Sequence, residues 1–74
     1  MTSQQMEARL REKFNDAQVQ VVDTTGTEDH FEVRIKSATL TALPRIGQHR
    51  AINDVFAAEL KTGEVHALSI KVIP

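Results

Sequence analysis

A chain of 74 residues with a formal net charge of −1 has room for one domain, residues 1–74, with a thin core and modest stability. The absence of cysteine excludes a disulfide framework, a thiolate nucleophile and a cysteine zinc site within the chain, and fits a reducing compartment. The charge is unevenly spread: no Asp or Glu occurs between Val33 and Asn53, a stretch that holds Arg34, Lys36, Arg45 and Arg50, while the residues on either side of it are net acidic.

The opening residues Met1 to Phe14 carry Glu7, Arg9, Arg11, Glu12 and Lys13 instead of the apolar run of a secretory signal or membrane span, so a soluble, cytoplasmic protein with no membrane partner is expected. Thr2 and Gln5 have the spacing of a capping box, and Met6, Leu10 and Phe14 recur every four residues, which predicts an amphipathic helix over roughly Ser3 to Asn15. From Ala17 the period drops to two, with Val19 and Val21 alternating with Gln18 and Gln20 until Asp23-Thr24-Thr25-Gly26 supplies turn residues. A second strand follows a loop at Thr24 to Asp29, with Phe31, Val33 and Ile35 on one face and Glu32, Arg34 and Lys36 on the other. The loop is too long for a tight hairpin turn and leaves room for a functional excursion.

Residues Ala38 to Gln48 lack steady periodicity and read as a connection. A second helix then places Ile52, Val55, Phe56 and Leu60 on one face and ends at Gly63. The last strand, about Val65 to Val72, puts His66, Leu68, Ile70 and Val72 on one face and Ala67, Ser69 and Lys71 on the other. The order helix, strand, strand, helix, strand predicts a two-layer α+β domain, with helices over one face of a three-stranded sheet and the other face open.

From Ser37 onward the residues Ser37-Ala38-Thr39-Leu40, Pro44, Gln48-His49-Arg50, Asn53, Ala58-Glu59-Leu60 and His66-Ala67-Leu68-Ser69-Ile70-Lys71 follow one known pattern in order. They resemble the BolA-like proteins, with their serine and F-x-G turn, R-H-R segment and closing H-A-[LF]-x-[IL] strand. Leu40 stands for the usual phenylalanine, Ala42 for the glycine and Gln48 for the first arginine, and the T-P-x-x-W tail common after the last strand is missing. The resemblance implies a fold similar to the class II KH domain. It also implies a non-catalytic role beside monothiol glutaredoxins and glutathione in handling [2Fe-2S] clusters, and relatives are described as transcription, stress or morphology regulators.

The resemblance singles out His66 as a ligand to a shared cluster, with His30, at the end of the first long loop, as the candidate second ligand. A [2Fe-2S] cluster takes four ligand positions, and imidazole can replace thiolate on one iron. A cysteine-free chain joins a cluster only through histidine or carboxylate, so no cluster is expected on the isolated chain. From the residues alone, His66 reads instead as a hydrogen-bonded residue at the rim of the core, on the strand face of Leu68, Ile70 and Val72. Arg34, Lys36, Arg45, His49 and Arg50 form the candidate surface for a partner's carboxylates, for glutathione or for DNA, or an ordinary solvated face. The only glycines are Gly26, Gly47 and Gly63, none of which forms the G-x-x-G clamp of KH domains, and no Tyr or Trp offers a stacking platform, so DNA contact would be mainly electrostatic. A weak homodimer is compatible with the chain. No spacing of nucleophile, base or phosphate-cradling glycines points to an enzyme.

Overall fold

The computed structural model describes all 74 residues. Helix α1 (Ser3–Lys13) starts at the expected capping box: the Gln5 amide donates to the Thr2 hydroxyl at 3.1 Å, and the Thr2 amide donates to the Gln5 side-chain oxygen at 2.9 Å. Its apolar stripe is buried at Met6 and Leu10 and continues into Phe14, which already has extended backbone (φ −122°, ψ 91°). The helix therefore stops two residues before the expected Asn15.

Strands β1 (Gln18–Asp23) and β2 (His30–Lys36) pair antiparallel, with Val19 opposite Ile35 and Val21 opposite Val33. After three intervening helices, β3 (Ala67–Val72) returns parallel to β2 on its other side, so β2 is the central strand of a mixed sheet. Phe31, Val33 and Ile35 of β2 are almost wholly buried. Together with Val21, the stripe of α1, and Leu40, Ile52, Phe56 and Val65 they form one core on the helix-covered face. The opposite face shows Gln18, Gln20, Arg34, Lys36, Ser69 and Lys71 to solvent, as the strand alternation predicts. No helix is long and apolar enough to cross a membrane.

The segment between β2 and β3 departs from expectation. The presumed connection at Ala38 to Gln48 contains a one-turn helix, α2 (Ala38–Thr41), and the first turn of α3 (Arg45–Val55). The aperiodicity has a physical origin: one turn needs only one apolar anchor, here the fully buried Leu40, and its start is held by Asp16 from a distant loop. The Asp16 carboxylate accepts from the Ser37 hydroxyl at 2.8 Å and from the Ala38 amide at 2.7 Å, and these bonds hold its carboxyl below the ordinary range. Pro44, with φ fixed near −63°, caps α3.

The single second helix expected from Ile52 to Leu60 is also two. Phe56 (φ −112°, ψ 21°) breaks the course between α3 and α4 (Ala57–Thr62) while its ring lies fully buried. Gly63 ends α4 with φ 83°, the left-handed conformation in which glycine is unstrained. Val65, buried at 1% exposure, is the last core residue before β3, which begins two residues later than expected.

The three internal departures from the family pattern are each accommodated. Leu40 fills its place in the core at 0% exposure. Ala42 has right-handed backbone (φ −72°, ψ −14°), so no glycine is required there. The Gln48 amide donates to the carbonyls of Leu40 at 2.9 Å and Leu43 at 3.1 Å, tying α3 to the end of α2.

Candidate functional site

Parallel pairing of β2 and β3 sets the starts of the two strands side by side, with His30 opposite Ala67. The residue before β3, His66, consequently comes next to His30. Their rings are nearly parallel, 5° between planes, with centroids 5.9 Å apart. Both are open to solvent, the side chains being 43% and 62% exposed. His66 thus does not extend the core-facing row of Leu68, Ile70 and Val72. Val65 takes the core position ahead of it, and its own ring meets His30 at the surface.

Asp29 joins the two histidines. Its carbonyl accepts both the His66 amide at 2.7 Å and the Ala67 amide at 3.2 Å, closing the parallel ladder at its open end. One carboxylate oxygen is 2.9 Å from His30 Nδ1, and the other is 3.5 Å from His66 Nδ1. The Thr27 hydroxyl also bonds the carboxylate, and this bond, followed by the one to His30, holds the Asp29 carboxyl down to about 2. The loop behind it is braced by Asp23, which accepts from the amides of Gly26 at 2.9 Å and Glu28 at 3.1 Å. Asp29 is not among the site residues expected from the sequence. The clue available was that His30 and His66 each fall at the start of a strand, but only a parallel register makes them neighbours.

The basic candidates do not form one surface. Arg34 and Lys36 lie on the open face of the sheet, where Arg34 is paired with Glu32 at 2.8 Å. Lys71, from the adjacent strand, reaches the same carboxylate at 3.2 Å, and Lys71 and then Arg34 hold the Glu32 carboxyl below its ordinary value. Arg45 and His49 instead line a groove of about 370 Å³ between α3 and β3, together with Gln48, Ile70, Lys71 and Val72. Arg50 is exposed on α3 and does not line this groove. Lys71, missed by the sequence reasoning, is the residue that borders both surfaces.

No group of three or more His, Cys, Asp or Glu side chains is arranged to hold a metal ion. The exposed imidazoles of His30 and His66 are the nitrogen donors that this end of the sheet presents to solvent. Two imidazoles fill at most two of the four ligand positions of a [2Fe-2S] cluster.

The arrangement of helices over a three-stranded mixed sheet is that of solved BolA structures. The chain superposes on BolA1 from Arabidopsis thaliana with a TM-score of 0.82 at 27% identity, covering 95% of this chain and 87% of that one. It superposes on the BolA domain of SufE1 from the same plant with a TM-score of 0.81 at 30% identity, again covering 95% and 87%. In sequence it is 35% identical to Protein BOLA2 of Arabidopsis thaliana over 72 residues, which is 96% of this chain and 75% of that protein. Residues 8–74 match the family model described as BolA-like protein, and the chain belongs to the BolA-like family.

Proposed function

We propose that this chain is a non-catalytic adaptor in iron–sulfur cluster assembly or trafficking, one that binds a monothiol glutaredoxin and shares with it a [2Fe-2S] cluster as cargo. The observation that carries the reading is the exposed, parallel pair His30 and His66, 5.9 Å apart at the open end of the sheet. His66 is the principal ligand and His30 the second candidate. Thiolates of the glutaredoxin and of glutathione supply the remaining positions, so the partner is part of the site. Mixing the purified chain with cluster-loaded monothiol glutaredoxin should change the visible absorption and circular dichroism of the cluster and yield a one-to-one complex on gel filtration. An unchanged spectrum and separate elution would sink the reading.

A second reading, contact with DNA in a regulatory role, rests on the groove where Arg45, His49 and Lys71 come together. Binding of that kind would weaken steeply with salt and show little sequence preference. A salt-resistant complex with one DNA sequence would favour a different mode of recognition.

A further inference from the structure

We infer that Asp29 is the positioning residue of the histidine pair, holding both imidazoles with Nδ1 toward its carboxylate so that Nε2 of each is the atom offered to a metal. The inference rests on reading His30 and His66 as ligands, and it assigns a task to a residue outside the ligand set.

Asp29 acts on His66 through two separate groups. The main-chain carbonyl binds the amides of His66 and Ala67, fixing the backbone from which the His66 ring projects. The side chain then divides between the rings: Oδ1 is in hydrogen-bond contact with His30 Nδ1 at 2.9 Å, and Oδ2 stands 3.5 Å from His66 Nδ1. The second distance is an electrostatic contact just beyond ordinary hydrogen-bond length. The Thr27 hydroxyl donates to the same carboxylate from the loop side, which restrains its rotation.

An ionised carboxylate only accepts hydrogen bonds, so a neutral imidazole bonded to it through Nδ1 must carry its hydrogen there. The lone pair is then on Nε2. Free neutral histidine prefers the opposite tautomer, with hydrogen on Nε2, so without Asp29 each ring spends most of its time with the outer nitrogen blocked. Carboxylates that hold a ligating histidine in this way also raise its basicity, and their removal typically lowers metal affinity by about 10–100-fold. Here one carboxylate serves two rings from different strands, so one substitution should disturb both.

The test uses the full ¹⁵N-labelled chain at a pH where its imidazoles are neutral, with long-range ¹H–¹⁵N correlation spectra reporting the tautomer of each ring. The wild-type rings should both carry hydrogen on Nδ1, and Asp29→Ala should move both toward Nε2–H. Asp29→Asn keeps one acceptor oxygen and replaces the other by an amide that cannot accept, so at most one ring should keep the wild-type tautomer. Both substitutions leave the main-chain carbonyl in place, and the amide signals of His66 and Ala67 report that the strand start is intact. In titrations with cluster-loaded glutaredoxin, Asp29→Ala should weaken the complex about tenfold or more. If His66→Ala leaves the cluster spectrum unchanged, the ligand reading and this inference fall together. If His66→Ala alters it while Asp29→Ala changes neither tautomers nor affinity, the positioning role alone is overturned.

Discussion

Phe56 is the residue whose loss should be felt most widely. Its ring is fully buried, it ends α3 and begins α4, and the Arg9 guanidinium stands 5.6 Å from the ring centroid. Its amide donates to the Asn53 carbonyl at 3.1 Å and its carbonyl accepts the Leu60 amide at 2.9 Å, so the break between the helices is built around it. Truncating a buried phenylalanine to alanine costs about 3–5 kcal/mol through lost burial and the cavity left behind. A domain of this length has only about 4–11 kcal/mol of stability in total. Phe56→Ala should therefore leave a marginal fold or none, and Phe56→Leu, which keeps most of the apolar volume, should lose about 1–2 kcal/mol. Urea unfolding followed by far-ultraviolet circular dichroism measures both, with the midpoint falling and the slope unchanged if the folded state is otherwise the same. The effect should extend to the histidine pair, because α4 carries Glu59, whose carbonyl accepts the Val65 amide at 3.1 Å one residue before His66. A Phe56→Ala loss below about 1 kcal/mol would refute the view that this ring anchors the two helices.

Ser37→Ala removes the hydroxyl that is buried at 2% exposure against Asp16, and should cost about 1 kcal/mol, with faster amide exchange in α2. The glycines should separate by backbone: Gly63→Ala, at φ 83°, should destabilise by about 1–2 kcal/mol in thermal unfolding. Gly47→Ala lies inside α3 where an added Cβ meets neighbours at no less than 3.6 Å, and should stabilise by about 0.5–1 kcal/mol. The carboxyls of Asp16, Glu32 and Glu59 are held below their ordinary values, chiefly by Ser37, Lys71 and Arg9 respectively. As pH falls through the ordinary values of 3.8 and 4.5, the unfolded chain binds protons that the folded chain refuses, so stability should decline there. A urea midpoint that stays level from pH 5 to pH 3 would contradict that linkage.

Much of the fold is legible wherever a local pattern is also the packing pattern. The strict alternation around Phe31, Val33 and Ile35 is a strand with one buried face, the Thr2 and Gln5 box starts a helix, and Gly63 ends one. The reading fails where distant residues decide. Asp16 starts α2 from across the chain, and Phe56 breaks a periodic helix while its ring stays buried in the core. The apparent block of positive charge is likewise divided, since Arg34 is answered by Glu32 while Arg45 and His49 sit in the groove with Lys71. His66 stands out through the closing motif, but its meeting with His30 and Asp29 depends on the parallel register of β2 and β3, which no single segment encodes.

The central claim is that an imidazole of this chain ligates a cluster held jointly with a partner. Its most direct test is pulsed electron paramagnetic resonance of the reduced complex between cluster-loaded monothiol glutaredoxin and the chain, with ¹⁵N placed only in the chain's histidines. A ¹⁵N coupling of the size expected for a directly bound imidazole, present in the wild-type complex and reduced in His66→Ala to no more than the contribution of His30, is the predicted result. A cluster signal with no coupling to the labelled histidines would show that the iron is held without this chain's imidazoles.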